Sequence, residues 1–377
     1  MDFDFSDDQK AIKELAGEIF AKELSTDRIK RVEVDEEWFD RALWSTLASA
    51  GLLGIAVDEQ QGGMGMGFLE LCVLLEELGR AVAPVPILAT LAFGGLAIAR
   101  FGTEEQKRRW LEPVVAGASV LSAALLDADP LAPDSLATTA RRNGAGWILE
   151  GSKVLVPAAS FADAVLVPAS TAEGTRVFVV EPQREGVSLI RRLSSSGEPL
   201  FDMTLDAISV SDEQLLGADA GAEQTRWIYD RALVAICACQ IGVAQRALEL
   251  TSAYVCDRKQ FGVPIGSFQA VQHRLADGYI DLESMRWVVW RAACKLASGE
   301  QASREAVVAK IWAAEAASRI VATAQHLHAG IGVDVDYPVH RYFLWSKALE
   351  LNLGAAAPQL ARLGQDMAAN PPPEATC

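Results

Sequence analysis

The residues with the clearest chemical potential lie in two short segments of the C-terminal third of the chain. Arg258, Phe261 and Gln269 belong to the first segment, and Gly330 and Gly332 belong to the second. Arginine offers an always-charged, planar fork of N–H donors that matches phosphate oxygens. Glycine lets backbone N–H groups approach a phosphate without a Cβ clash. These residue types suit a phosphate-bearing ligand, although an arginine at a helix end also commonly caps carbonyl groups.

Periodicity along the chain predicts three domains that would position these segments, in an α+β multidomain fold. Residues 1–116 are predicted to form an all-α domain. Residues 117–217 contain short alternating runs between turn residues, which predict an antiparallel β domain. Residues 218–377 contain long amphipathic runs, among them 227–256, and predict a four-helix-bundle-like domain with an oligomer interface. Two capping boxes mark helix starts in the first domain: Ser6 with Gln9, and Thr103 with Gln106.

Composition and charge exclude several classes of function. The net charge of −16 argues against a nucleic-acid partner, since binding a nucleic-acid backbone requires clustered Lys and Arg. No apolar run reaches the roughly 18 residues of a membrane span, and the acidic N-terminus lacks the pattern of a secretory signal. The six cysteines are scattered, with Cys237 and Cys239 expected in the core, and the four histidines lack metal-ligand spacing. We therefore expect free thiols in a reducing cytoplasm and no metal site.

Several short motifs along nearly the whole chain resemble those of one known family and occur in the same order. The segment 258–269, RKQFGVPIGSFQ, resembles the motif RxxFGxxI…Q of the acyl-CoA dehydrogenase family. Other stretches are similar to the same family at corresponding places: GLLGIAV at 51–57, GGMG at 62–65, GTEEQK at 102–107, HAGIG at 328–332 and YP at 337–338. The resemblance implies the fold of that family, an FAD cofactor and α,β-dehydrogenation of an acyl-CoA thioester.

The resemblance further implies that part of an FAD site lies in the two C-terminal segments. Arg258 would meet the pyrophosphate, and Phe261 would pack against an aromatic ring of the cofactor. His326 stands where the family has a glutamine at the pyrophosphate. In the family this half of the site reaches the FAD of a neighbouring subunit, so we expect an oligomer. The cofactor-binding residues implied in this way are Arg258, Gln260, Phe261, Gln269, His326, His328, Ala329 and Gly330.

The resemblance also implies a catalytic carboxylate, which this sequence lacks at both family positions. A Glu removes the α-proton of the thioester, and hydrogen bonds to the carbonyl in a dry pocket make that proton acidic enough. The first position, about sixteen residues after the Tyr-Pro, is Leu353. The second, ten residues before Gly242, is Ala232. We therefore assign no catalytic residue; the nearest acids are Asp230 and Glu350.

The segments that hold the flavin ring in the family are altered as well. Residues 123–127 read AALLD, without the family's Thr or Ser, and Leu155-Val156-Pro157 replaces Trp-Ile-Thr. The groups that reach toward a neighbour are kept. This pattern predicts a non-catalytic subunit that completes the FAD site of a paralogous subunit in a heterotetrameric (α2β2) acyl-CoA dehydrogenase. Such enzymes act on bulky acyl-CoA substrates such as steroid side chains, and we expect an acceptor similar to electron-transfer flavoprotein.

Two alternatives stay open from the sequence. The chain could be a self-sufficient, homo-oligomeric acyl-CoA dehydrogenase with Asp230 or Glu350 as a displaced base. Asp230 would lie about 200° around the helix from Ala232, and we expect it to pair with Arg231 or with solvent. The chain could also be a flavin-dependent monooxygenase or a non-catalytic binding protein on the same fold, because a fold does not fix a function.

Overall fold

The computed structural model describes residues 4–127, 136–217 and 221–371. The N-terminal part is helical, as predicted, and both predicted capping boxes are present. An apolar π-helical segment, Leu88–Gly95, leads directly into the fifth helix. The helices of this part are α1 (Asp7–Glu23), α2 (Thr26–Glu33), α3 (Arg41–Ser49), α4 (Phe68–Ala81), α5 (Leu96–Phe101) and α6 (Glu104–Val115).

The middle of the chain forms a seven-stranded sheet within the described residues. Its strands are β1 (Leu121–Ala123), β2 (Thr139–Asn143), β3 (Gly146–Pro157), β4 (Ala164–Thr171), β5 (Gly174–Val180), β6 (Val187–Arg192) and β7 (Leu200–Ser211). The order is β1-β4-β2-β3-β7-β6, and β5 pairs with β4. The β2–β3, β3–β7, β6–β7 and β4–β5 pairs are antiparallel, as predicted. The sheet also has parallel pairs, because β1 runs parallel to β4 and β2 meets β4 at one parallel position.

One strand bends where it approaches the helices. The register of β3 on β7 shifts between Leu149 and Gly151 and again between Lys153 and Val156. Such irregularities insert unpaired residues and re-aim the strand. The second shift contains Leu155, which has a φ of 53° and is 42% exposed. Beyond this shift β3 pairs with β7 again, at Val156 and Pro157, so the irregularity re-aims Leu155 and leaves the end of the strand in the sheet.

The C-terminal part is a helical bundle built around one long helix. Its elements are α7 (Ala222–Asp257), β8 (Lys259–Gln260), β9 (Val263–Pro264), α8 (Gln269–Ala297), α9 (Ser303–His328), α10 (Val339–Leu351) and α11 (Ala356–Ala369). The helix predicted for 227–256 is α7, which packs against α8, α9 and α10. This confirms the bundle, to which α11 adds a fifth helix against α9.

The long helix α7 also joins the bundle to the N-terminal part. A Cβ at Gly79 of α4 would overlap the carbonyl of Cys239, and one at Gly242 of α7 would overlap the carbonyl of Glu76. The two glycines therefore let the backbones of α4 and α7 cross in direct contact. Cys237 and Cys239 are buried at this crossing, as predicted.

Helix α7 requires a correction to the expectation that no segment is apolar enough to span a membrane. Among the described residues, α7 is long enough and contains an 18-residue window apolar enough for a span. Within the fold, 72% of that window is buried. The apolar surface of α7 is thus covered by α4 and the other helices, as in the core helix of a soluble protein.

Candidate functional site

The segment after α7 forms a short hairpin that carries predicted cofactor residues. Lys259 and Gln260 of β8 pair with Pro264 and Val263 of β9. Phe261 and Gly262 form the turn, and both have a positive φ, of 53° and 83°. Two positive φ angles define the type I′ turn, whose twist matches that of the flanking strands. The turn holds the aromatic side chain of Phe261 outward, and it is 93% exposed.

Seven of the eight predicted FAD residues lie on the surface. Arg258, Gln260, Gln269 and His326 have side chains without a hydrogen-bond or ion-pair partner among the described residues. Their N–H donors are therefore open toward the outside of the chain. A guanidinium together with amide and imidazole donors is a set of groups that suits a pyrophosphate.

His328 is the exception, because it is 1% exposed and packs inside the bundle. Its ring stacks on Tyr254 with centroids 4.3 Å apart. Nδ1 lies 2.8 Å from the carbonyl of Ala324, to which it must donate. Nε2 therefore accepts from the hydroxyl of Tyr337, 3.2 Å away. Burial lowers the pKa of His328, which favours this neutral form.

These rings bring the two predicted segments together. Tyr254 belongs to the last turn of α7, and its carbonyl accepts from the backbone N–H of Arg258 at 2.8 Å. His328 ends α9, and Ala329 after it has a φ of 53°. A Cβ at Gly330 would meet nothing within 4 Å, so its backbone is open to a ligand. We call the side chains of Arg258, Gln260, Gln269 and His326 the outer donor set. Their chemistry suits the pyrophosphate of FAD, and the exposed Phe261 is available for an aromatic ring.

A separate cavity of 220 Å³ lies between the bent end of β3 and the C-terminal helices. We call it the inner cavity. Leu126 and Leu155 line it; they come from the two segments where the resemblance places the flavin ring. Leu88, Cys239 and Trp345 form further parts of the wall. The wall is mainly apolar.

Polar groups near the inner cavity are bonded to one another. The buried ammonium group of Lys153 lies 2.8 Å from Asp127 Oδ2, and the hydroxyl of Thr138 donates to Oδ1 at 2.7 Å. The hydroxyl of Ser122 donates to the carbonyl of Pro157 at 2.6 Å. These bonds satisfy the polar side chains at the strand ends within the β part itself.

The two family base positions hold packed apolar side chains. Leu353 is 4% exposed and Ala232 is fully buried. The backbone of Leu353 has a φ of 54°. Its carbonyl accepts from the hydroxyl of Tyr229 at 3.1 Å and from the side-chain amide of Gln359 at 2.7 Å. This loop is therefore fixed by α7 and α11.

Asp230 does not pair as expected from the sequence. Its Oδ2 accepts from the hydroxyl of Ser303, whereas its Oδ1 is buried without a partner in the described part of the chain. Arg231 instead donates to the carbonyl of Leu296 at 2.6 Å and lies 3.7 Å from the ring centre of Trp227. The expected pairing of Asp230 with Arg231 or with solvent was thus wrong. Asp230 is buried and bonds instead to the hydroxyl of Ser303, which is 73 residues away in the sequence. Burial also raises the pKa of Asp230.

Neither alternative acid lines the inner cavity. Asp230 lines a different, open cavity of 680 Å³ beside the C-terminus of α8. Glu350 lies 2.5 Å from Lys347 in an ion pair. Neither carboxylate therefore lines the cavity that contains Leu126 and Leu155.

The sequence analysis missed one acid that does line the inner cavity, Glu198. Burial raises the pKa of Glu198 to about 7. Its segment, SSSGEPL at 194–200, resembles an ordinary polar connection between strands. Only the packing of this segment against Trp38 and α10 places the acid at a cavity, so no local pattern could have marked it.

The chain has clear relatives among known proteins. Residues 6–118 match the family model "Acyl-CoA dehydrogenase, N-terminal domain", and residues 219–368 match "Acyl-CoA dehydrogenase, C-terminal domain". Acyl-CoA dehydrogenase FadE27 of Mycobacterium tuberculosis is 36% identical over 379 residues, covering 98% of this chain and 100% of that protein.

Two solved structures share nearly the whole fold. A variant of the Tcur3481-Tcur3483 steroid ACAD superimposes with a TM-score of 0.91 at 43% identity, covering 96% of this chain and 98% of that one. The ChsE4-ChsE5 complex from Mycobacterium tuberculosis superimposes with a TM-score of 0.93 at 35% identity, covering 99% and 100%. The second structure is a complex of two proteins, ChsE4 and ChsE5.

The helix–sheet–helix fold is that of the dehydrogenase class of flavin-dependent oxidoreductases. The chain belongs to the acyl-CoA dehydrogenase family. Its cofactor is accordingly FAD.

Proposed function

We propose that this chain is a non-catalytic subunit of a heteromeric acyl-CoA dehydrogenase. It completes the FAD site of a paralogous subunit, and that subunit supplies the catalytic carboxylate. The substrate class is a bulky acyl-CoA such as one with a steroid side chain, and the acceptor resembles electron-transfer flavoprotein. We place the complex in the cytoplasm.

One contrast within the molecule carries this proposal. The outer donor set has open side chains at Arg258, Gln260, Gln269 and His326. At the inner cavity, Leu126 and Leu155 stand where the family holds the flavin ring. A flavin ring needs hydrogen-bond partners when it is buried, and the leucine side chains provide none. The chain is therefore suited to hold FAD on its outside and poorly suited to hold one inside.

The base positions support the same division of labour. Neither Leu353 nor Ala232 can accept a proton, and both are packed in the core. Asp230 and Glu350 do not line the inner cavity. An α-proton is removed only by a base within hydrogen-bond reach in a dry site. Glu198 does line that cavity, but it stands at neither family base position. We therefore assign the base to the partner subunit.

The role of this chain is to bind and orient the cofactor. FAD, when bound, supplies the acceptor for the hydride that leaves the β-carbon of the thioester. The guanidinium of Arg258 would hold the pyrophosphate with N–H donors, while Gln260, Gln269 and His326 would add neutral donors. Phe261 would cover an aromatic ring of the cofactor and exclude water from it. His328 would act indirectly, through Tyr254 and the turn before Gly330.

The surface of the bundle supports an obligate partner. Tyr279 and Ile280 on α8 are 60% and 61% exposed, and Phe268 at its start is 36% exposed. Large exposed apolar side chains that share one helix are candidates for an interaction site. The solved relatives named above are a steroid ACAD and a two-protein complex. A paralogous acyl-CoA dehydrogenase chain is the partner that these similarities favour.

Expression with and without a partner tests the proposal. The full chain is purified alone and after co-expression with a neighbouring paralogue that carries a catalytic Glu. We expect the chain alone to be colourless and the pair to be yellow and to reduce an acceptor with an acyl-CoA. A yellow homo-oligomer that oxidises acyl-CoA without the paralogue would contradict the proposal.

A further inference from the structure

The inner cavity contains a carboxyl group that the proposed function does not use. Glu198 lies between β6 and β7, and its carboxylate has no hydrogen-bond or ion-pair partner among residues 4–127, 136–217 and 221–371. Its backbone is held in place: its N–H donates to Ser196 Oγ at 3.4 Å, and its carbonyl accepts from the hydroxyl of Ser194 at 2.8 Å. The segment is thus fixed while the carboxyl group stays unmatched.

Most of the remaining wall is apolar and aromatic, and its neutral polar members are Ser194, Ser195, Ser196 and Asn352. Trp38 and Trp345 line the cavity and are 3% and 8% exposed, with ring centroids 5.9 Å apart. Indole faces attract organic cations. A carboxylate in such surroundings is unfavourable unless an opposite charge accompanies it. The aliphatic part of the wall includes Leu78, Val85, Leu88, Leu126, Leu155, Leu200 and Leu349.

The other titratable groups at the cavity do not neutralise Glu198. Lys347 lines the rim but is paired with Glu350 at 2.5 Å. Cys239 lies in the wall, and burial raises the pKa of its thiol, which keeps it uncharged. A negative charge beside two tryptophans therefore remains open for a ligand.

The cavity is large enough for a small organic molecule and opens to solvent. Its volume is 220 Å³, and apolar cavities of about 150 Å³ already hold benzene. Leu155, Leu193 and Leu351 at the rim are 42%, 94% and 57% exposed. A ligand with one aromatic ring and a short substituent can enter and fill this space.

We propose that the inner cavity is a binding site for a small organic ammonium ion. The carboxylate of Glu198 contacts the ammonium group, and the leucines together with Trp38 and Trp345 hold the apolar body. The site does not depend on the outer donor set. Cys239 and Arg258 are nineteen residues apart along α7 and its C-terminal cap, which places them about 28 Å apart along the helix axis.

Calorimetric titration with three isosteric probes tests this site. Benzylamine, benzyl alcohol and benzoate are titrated at pH 8 into the full chain, alone or in its complex, without added acyl-CoA. We expect benzylamine to bind roughly ten- to hundredfold more tightly than benzyl alcohol, because it forms a charge-assisted hydrogen bond. Benzoate should bind more weakly than both. Equal affinities for amine and alcohol, or no binding of any probe, would overturn the proposal.

Two variants assign the effect to the cavity. Glu198→Gln is isosteric and should bring benzylamine to the affinity of benzyl alcohol, whereas the matched control Glu150→Gln, at an exposed position of β3, should leave the preference intact. Leu126→Trp fills the cavity and should abolish binding of all three probes. Thermal unfolding checks that each variant is folded. A preference that survives Glu198→Gln, or binding that survives Leu126→Trp, would contradict the site.

Discussion

At the scale of single residues, Arg258 connects the sequence to the proposed site most directly. Its place in the RxxFG pattern was visible in the sequence, and the structure leaves its guanidinium on the surface without a partner among the described residues. The capping of α7 does not require that side chain, because the backbone N–H of Arg258 bonds to Tyr254. The side chain of Arg258 is thus available to bind a cofactor that is held by a partner subunit.

Replacing Arg258 should weaken FAD binding by the assembled complex. Arg258→Ala removes a charged donor fork, and we expect the affinity for FAD to fall roughly ten- to hundredfold. Arg258→Lys keeps the charge but loses the fork of donors. Its affinity for FAD should therefore lie between those of the wild type and Arg258→Ala. Flavin fluorescence titration of the apo complex measures the effect. Arg31→Ala, at an exposed arginine on α2, is the control and should bind as the wild type does; an equal affinity in Arg258→Ala would refute the assignment.

Other residues show where sequence reasoning ends. Arg258 and Phe261 were identified from a contiguous motif, because a turn needs only neighbours in the chain. Ser303, the partner of Asp230, and the cavity position of Glu198 depend on contacts between distant elements. His328 was predicted at the cofactor on its motif alone. Its 1% exposure arises from Tyr254 and Tyr337, which no local pattern joins to it.

At the scale of elements, the crossing of α4 and α7 holds the N-terminal part against the bundle. Gly242→Ala would place a methyl group against the backbone of Glu76 and Arg80. Overpacking of this kind forces backbone shifts, and we expect a loss of roughly 1–3 kcal/mol or more in the free energy of unfolding. Chemical denaturation followed by circular dichroism measures it.

The matched control for this crossing is Gly364→Ala in α11. A Cβ there meets nothing within 4 Å, and alanine favours a helix over glycine by about 0.5–1 kcal/mol. Gly364→Ala should therefore stabilise the chain slightly. If Gly242→Ala were as well tolerated as Gly364→Ala, the backbone contact between α4 and α7 would be wrong.

A second element-scale feature is a buried lysine of α9 that meets the end of α10. The ammonium group of Lys310 donates to the carbonyls of Leu349 and Glu350 at 2.6 and 3.0 Å, and the residue is 1% exposed. Burial lowers the pKa of Lys310 to about 8, from 10.5 in the unfolded chain. Between these two values the unfolded state binds more protons, so this group makes the free energy of unfolding rise with pH.

Comparison with Lys310→Met isolates that dependence. The stability of the wild type relative to Lys310→Met should rise between pH 8 and pH 10.5, by up to roughly 3 kcal/mol. Urea denaturation at a series of pH values gives the difference. Lys22→Met, at an exposed position of α1, should show no such rise relative to the wild type. A flat difference for Lys310→Met would mean that the lysine keeps its ordinary pKa in the fold.

At the scale of the whole molecule, the order of helices, sheet and helices was predictable because each part has its own hydrophobic period. The parallel pairing of β1 with β4 was not, because short strands carry no signal of their neighbours. The boundaries near Gly117 and Gly217 stay predictions, although both residues have a positive φ. The bend at Leu155, which shapes the inner cavity, likewise depends on packing against distant helices.

The exposed face of α8 should be needed for assembly. Tyr279→Glu combined with Ile280→Glu places two charges where we infer an interface, and we expect the complex to dissociate into smaller species. Light scattering after size-exclusion chromatography gives the mass. Val34→Glu, at a residue 85% exposed beyond α2, is the control and should leave the assembly unchanged. An intact complex in the double variant would place the interface elsewhere.

The central claim is that this chain completes one FAD site and contains none of its own. The most direct measurement is the number of FAD molecules per complex, from the flavin absorbance of denatured, quantified samples of the purified pair. The account predicts one FAD for each pair of unlike chains. Two FAD molecules per pair would show that this chain holds a flavin of its own and would contradict the account.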